Sequence, residues 1–176
     1  MLESKRLILR SWKITDGDIL YELASDPDVG IPCGWQPHTM PMESQIILED
    51  ILMNDETYAI VLKETNVVIG NIALFKKSQY VQKENEKELG FWLGKKYWNQ
   101  GYATEASLLM IDYGFNQLNL DKIWIAHFID NLKSKRVQEK CNFKYSHTHN
   151  YYSEGLEKEV TSIVNVMIKE EYVNEE

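Results

Sequence analysis

Cysteine is nearly missing from this chain. Of 176 residues only Cys33 and Cys141 are cysteines, too few and too far apart for a disulfide framework or a metal-type cluster. A reducing, cytoplasmic setting without a metal is the expectation. Basic residues are also in short supply: 19 Lys and Arg stand against 27 Asp and Glu, a net charge of -8. Nucleic-acid binding needs a basic footprint, so that partner class is excluded. The acidic balance aids solubility, and it also attracts a cationic partner such as an amine or a basic peptide. No apolar run reaches the ~20 residues that span a bilayer. The opening MLESKRLILRSW turns polar too soon for a signal peptide, so no membrane role is expected. Linkers, repeats and low-complexity stretches are absent, and all four prolines fall between Asp26 and Pro41. What remains is the composition of one globular domain over residues 1–176, with 44% apolar residues, five Trp and ten Tyr.

Periodicity divides the chain. RLILRSW, residues 6–12, reads as a strand. Thr15 and Asp18 have capping-box spacing ahead of Ile19, Leu20 and Leu23, the apolar face of a first helix. Asp26 to Pro41 reads as an irregular loop, and Met42 to Met53 as a second helix. TYAIVLK and VVIGNIALF, joined by Glu64–Asn66, form a hairpin pattern. The polar Lys76–Lys87 is expected to be an exposed loop, and ELGFWLG a short buried strand. Ala103, Ala106, Leu109, Met110 and Tyr113 recur at helical spacing within Tyr102–Leu118. KIWIAHFI is a strand, Asn131–Lys140 a helix with Asn142 as its left-handed stop, and FKYSHTHNYY and TSIVNVMI are two last strands. The order β-α-α-β-β-β-α-β-α-β-β predicts a mixed α/β (α+β) layered fold.

The stretch GFWLGKKYWNQGYATEA, Gly90 to Ala106, carries the most chemistry. A strand runs into a turn at Gly101, where a helix begins. The first amides of that helix lack internal partners, and with the helix dipole they make a site for a diphosphate. Gly101 lets the backbone approach closely, and Ala103 keeps the next turn uncrowded. On spacing alone, a plain strand-to-helix turn explains the pattern equally well.

This stretch resembles motif A of the GNAT acetyltransferases, Arg/Gln-x-x-Gly-x-Gly/Ala, with Trp98, Asn99, Gln100, Gly101, Tyr102 and Ala103 at those positions. Trp98 departs from the usual Arg or Gln. A Trp followed by ATEA is similar to the Rim-type branch, which includes ribosomal-protein N-terminal acetyltransferases. The resemblance implies a central sheet, mostly antiparallel and flanked by helices, and acetyl-CoA as cosubstrate. It implies that the amides of Asn99, Gln100, Gly101, Tyr102, Ala103 and Thr104 hold the coenzyme A diphosphate. It further implies that Phe91, Trp92 and Leu93 lie beside the pantetheine and acetyl group. Asn131-Leu-Lys-Ser134 and the following KRVQEKCNF resemble a second family pattern, Asn-x-x-Ser with a later Lys-x-Gly-Phe. It implies that Asn131 bonds the pantetheine arm, that Ser134 sits near the sulfur, and that Arg136 and Lys140 approach the phosphates.

The implied reaction is direct attack of a primary amine on the thioester, the amine being a protein N-terminus or a small molecule. A main-chain amide, at Leu93, is the candidate for steadying the oxyanion. Gln138 stands where many family members keep an acidic Tyr, which leaves Ser134 either as the acid or only as a coenzyme ligand and helix cap. Glu88 is the candidate base, or else an exposed strand-edge charge. Alternation groups Glu88 with Gly90 and Trp92, and Leu89 with Phe91 and Leu93, without saying which face meets the substrate. His127, His147, His149, Tyr151 and Glu154 are further options for the base, as is a water chain. Trp35 and His38, in the proline-rich loop, and His127 are the candidate acceptor contacts. Exposed aromatics on the last two strands could form a homodimer face, though core burial explains them equally. A non-catalytic acyl-CoA sensor with the same fold is the alternative function. A Rossmann-type binder would want its Gly-rich turn near the first strand instead.

Overall fold

The computed structural model describes residues 1–172. Leu2–Glu3 (β1) pairs with Leu7–Ser11 (β2), whose Leu7 and Leu9 point into the core. The first helix, Gly17–Ala24 (α1), starts later than the Thr15–Asp18 spacing suggested. Asp16 does the local work instead. Its carboxylate accepts from the Lys13 amide at 2.8 Å and from the two terminal guanidinium nitrogens of Arg10 at 2.7 and 3.0 Å. The proline-rich stretch is less irregular than expected. Asp26 caps a short helix, Pro27–Gly30 (α2), and one 3-10 turn follows before Gly34 takes a left-handed φ of 90°. Pro41–Ile47 (α3) then runs on as a wider π turn through Leu52.

Thr57–Leu62 (β3) and Val68–Phe75 (β4) form the expected hairpin, turning through Asn66 at φ 56°. Glu86–Leu93 (β5) begins two residues earlier than the polar composition of Lys76–Lys87 implied. Glu86 and Lys87 are buried there because each has a partner: Glu86 accepts from the Trp124 indole at 2.9 Å, and Lys87 pairs with Glu56. Tyr80 in the same segment is also buried. Tyr102–Asn116 (α4), Lys122–Phe128 (β6), Leu132–Lys140 (α5), Lys144–Ser153 (β7) and Lys158–Ile168 (β8) follow as the periodicity predicts. Asn142 takes the left-handed φ of 63° that its place after α5 required.

The eight strands form one sheet in the order β1-β2-β3-β4-β5-β6-β8-β7. Every neighbouring pair is antiparallel except β5 and β6. This is the mixed, mostly antiparallel architecture expected from the sequence. Met110, Ile111 and Phe115 of α4 pack with Leu89 and Leu93 on one face. Leu20 and Leu23 of α1 pack with Leu48, Leu52 and Trp92 on the other. Among the described residues no helix is long and apolar enough to cross a membrane.

Candidate functional site

The parallel pair is incomplete. β5 and β6 are in register only over Glu86–Glu88 and Lys122–Trp124. Beyond them β5 stays with β4 as far as Leu93, while β6 stays with β8 as far as Phe128. The sheet therefore opens like a V between Leu89–Leu93 and Ile125–Phe128. The Gly94 amide donates to Ile69 on β4 at 2.9 Å. Strand alternation then turns the peptide groups of Phe91 and Leu93 to the other side, into the V. The Leu93 carbonyl there accepts from the Trp98 indole at 2.8 Å. A cavity of about 1560 Å³ runs through the opening from one face of the sheet to the other.

At one end of this cavity stands the start of α4. Asn99 at φ 60° and Gly101 at φ 82° bend the chain sharply into the helix. Gly101 is the N-cap, and no side chain caps it. The first intrahelical bond is from the Glu105 amide to the Gly101 carbonyl at 3.0 Å, so the amides of Tyr102, Ala103 and Thr104 remain for a ligand. Arg6 braces the turn. It donates to the Gln100 carbonyl at 2.9 Å and to Glu105 at 2.7 Å, and stacks over the Tyr102 ring. Burial pushes the Glu105 carboxyl up, but hydrogen bonds from Arg6 and Ser4 outweigh it and hold the group below its usual range. Lys133, Arg136 and Lys140, spaced along one side of α5, line the same end of the cavity. Lys133 lies 3.8 Å over the Trp98 ring. Free amides, a helix N-terminus and three cations suit a ligand with several phosphate charges.

Where the V opens, Asn131 caps α5. Its side-chain oxygen accepts from the Ser134 amide at 3.1 Å, and its nitrogen donates to the Pro32 carbonyl at 3.2 Å. The Ser134 hydroxyl accepts from Gln138 at 3.2 Å, and Gln138, 1% exposed, accepts in turn from Asn165 at 2.6 Å. A hydroxyl that accepts on its inner side keeps its proton for the cavity.

The other end of the cavity is aromatic. Glu88, Gly90 and Trp92 face this side, with α1, α3 and the proline-rich loop, whereas Leu89, Phe91 and Leu93 face α4. Glu88 is bonded by the Ser78 hydroxyl, and burial raises its carboxyl above the usual range despite that bond. The Phe75 ring lies over Gly90, where a Cβ would come within 2.5 Å of it. Trp35 meets Trp92 edge-on at 6.0 Å and His38 at 5.4 Å. His38 is buried against Ser44, 2.7 Å from its hydroxyl, and burial lowers its pKa although Glu43 opposes this. Tyr80 and Tyr151 complete the wall, and burial pushes the Tyr80 phenol up to about 12.

Most residues singled out by the sequence meet here: Ser134, Glu88, Phe91, Trp92, Leu93, Asn99, Tyr102, Thr104, Asn131, Trp35 and His38 all border the cavity. Gln100 does not. Its carbonyl is taken by Arg6 and its side chain by the Lys96 carbonyl. His127 borders the cavity from the face of β6 whose Ile123 and Ile125 pack toward α4, opposite Glu88, and its ring is turned to the Phe128 carbonyl at 2.9 Å. His147 and Glu154 are exposed and do not border the cavity, His147 meeting the Tyr80 ring edge-on at 6.2 Å from outside it. Sequence reasoning missed Phe75, Ser78 and Tyr80, which sit in or beside a stretch whose polarity signalled only a loop. It also missed Arg6, whose role depends on a partner 99 positions away.

Comparisons with known proteins agree with this geometry. Residues 6–144 match the family described as an acetyltransferase (GNAT) domain. The chain is 28% identical to an uncharacterized N-acetyltransferase, p20, of Bacillus licheniformis, over 97% of each chain. It is similar in fold to a GNAT-family acetyltransferase from Bacillus anthracis, with a TM-score of 0.85, 22% identity, and 96% of this chain and 98% of that one covered. A spermidine N-acetyltransferase from Vibrio cholerae, solved with CoA and spermine, superposes with a TM-score of 0.79 at 16% identity, covering 97% of this chain and 100% of that one.

Proposed function

The chain belongs to the GNAT acetyltransferase family, whose members use acetyl-CoA, and from that membership we propose that it moves an acetyl group from acetyl-CoA to a primary amine by direct attack on the thioester. The observation that carries this reading is the V between β5 and β6 with the uncapped start of α4 at its mouth. Within the family we assign the chain to the Rim-type branch, on Trp98 followed by ATEA.

The amides from Gly101 to Thr104 receive the diphosphate of the coenzyme, and Lys133, Arg136 and Lys140 add charge around its phosphates. Pantetheine passes along Phe91 and Leu93, which brings the thioester carbonyl to the Leu93 amide. Asn131 shapes this passage through the cap it gives α5. The amine enters from the aromatic end. Bringing both reactants into one cleft supplies a large part of the rate, on the order of 7–11 kcal/mol when alignment is good. Glu88 takes the first proton from the ammonium and passes it to solvent. The amine nitrogen bonds to the carbonyl carbon, and the Leu93 amide steadies the oxyanion. As the C–S bond breaks, the second proton reaches sulfur by way of the Ser134 hydroxyl, which Gln138 and Asn165 hold in place.

The experiment is the release of free thiol from acetyl-CoA by the purified protein with a panel of primary amines. Amine-dependent release is expected. Tight binding of acetyl-CoA without release with any amine would favour a non-catalytic acyl-CoA sensor and reject the transfer.

A further inference from the structure

We infer that the acceptor is a compact amine with a single ammonium on a flat apolar body, seated among Phe75, Tyr80, Trp92 and Tyr151 with its nitrogen toward Glu88; the inference rests on the acetyl-transfer reading above. Charge is the first ground. Four carboxylates border the cavity, but Asp28 is paired with Lys95, and Asp130 and Glu159 are exposed to solvent. Glu88 alone lies withdrawn at the floor of the aromatic end, in contact with Ser78. One sheltered carboxylate matches one ammonium. A polyamine would want further anions along its length, and Lys158 on the same wall repels a second positive charge.

The walls are the second ground. Phe75 covers Gly90 between Glu88 and Trp92, Trp35 backs Trp92, and Tyr80 and Tyr151 stand across from them. Such rings attract a cation by their faces and bury a flat apolar body well. His149 stacks on Tyr151 at 5.0 Å and meets Tyr80 at 5.8 Å, which stiffens that side of the chamber from behind.

The roof favours a small molecule over a polypeptide. The loop after α2 crosses the chamber and rests on the turn between β7 and β8, where a Cβ on Gly155 would come within 2.3 Å of the Gly34 carbonyl. The loop is tied down at both ends, by Asn131 to the Pro32 carbonyl and by the His38 amide to the Ala24 carbonyl at 3.0 Å. Gly30 has no room for a Cβ beneath the Trp35 ring. A chain extending from its N-terminus would have to displace this roof.

The test measures kcat/KM by thiol release with 2-phenylethylamine, propylamine, spermidine and a tetrapeptide with a free N-terminus. Phenylethylamine should exceed each of the others by about tenfold, the worth of one good aromatic contact. Phe75→Leu and Tyr151→Leu should shrink that preference severalfold while acetyl-CoA binding stays as in the parent. Equal rates for phenylethylamine and propylamine, or faster turnover of spermidine or the peptide, would overturn the inference and leave acetyl transfer standing. If no amine is turned over, calorimetry of phenylethylamine into the CoA-loaded protein decides: uptake supports the seat, and no uptake overturns it. A protein that takes up no acetyl-CoA overturns both readings together.

Discussion

The two ends of the cleft, proposed above for the coenzyme and the acceptor, are built by opposite strategies. The coenzyme end is made from contiguous chain: Trp98 to Thr104 supplies a turn and a set of amides, and one helix, α5, supplies the cations. The acceptor end is assembled from four separate stretches, namely the proline-rich loop, the chain from the end of β4 to Tyr80, β5 and the β7–β8 hairpin. On this proposal main-chain groups recognise what is constant, a diphosphate, and need only the right φ angles. Side chains recognise what varies, and need a whole fold to gather them.

The largest expected effect on turnover tests where the two ends meet. Ser134→Ala should lower kcat by about 100-fold, the lower end of general acid catalysis, with acetyl-CoA affinity changed by less than about threefold. Unchanged turnover with weakened binding would reduce Ser134 to a coenzyme ligand. Gln138→Leu should follow with a loss of about tenfold in kcat and little change in KM, because the hydroxyl is still present but no longer oriented. Gln138→Glu should not recover it, because a carboxylate accepts from Asn165 but cannot donate to Ser134 and draws the hydroxyl proton inward.

How far the sequence revealed each end follows from the same contrast. The proposed coenzyme end has a trace in the sequence because Gly101, Ala103, Asn131 and Ser134, which the fold brings to one cavity, sit at fixed local spacings that a motif can hold. The order of strands and helices was legible because buried faces leave a period in the sequence, as at Ala106, Met110 and Tyr113. The acceptor end was not. Tyr80 sits in a polar run, and its burial depends on Trp124 and Val164, far along the chain. Lys87 reads as a loop charge until Glu56 meets it. Which side of β5 faces the acceptor depends on the packing of α1 and α4, and alternation alone is silent on that.

The acceptor end is probed next by acid. Burial holds the Glu88 carboxyl above its ordinary value. A base must be ionised, so kcat/KM should climb with pH through that raised value, and Glu88→Gln should flatten the climb as well as lower the rate. Stability should move the other way. A raised folded-state pKa means that the buried charge weakens the fold above that value, and that the cost fades as pH falls toward 4.5. Glu88→Gln should therefore melt higher than the parent at about pH 8, with the gap closing in acid. A lower melting temperature at all pH values would contradict the burial account.

The smallest effect belongs to the coenzyme end. Replacing Arg136 and Lys140 by Gln should weaken acetyl-CoA severalfold at low salt, and the difference should shrink as ionic strength rises. The amides at the start of α4 should carry most of the affinity that survives.

Calorimetry of acetyl-CoA with the parent protein and with Gly101→Val addresses the centre of the account. A branched side chain cannot comfortably hold the φ of 82° that turns the chain into α4. The account predicts one acetyl-CoA bound per parent chain, and affinity lowered by about 100-fold or more in a variant that still melts cooperatively. Equal affinity in the two proteins, or no binding by the parent, would contradict it.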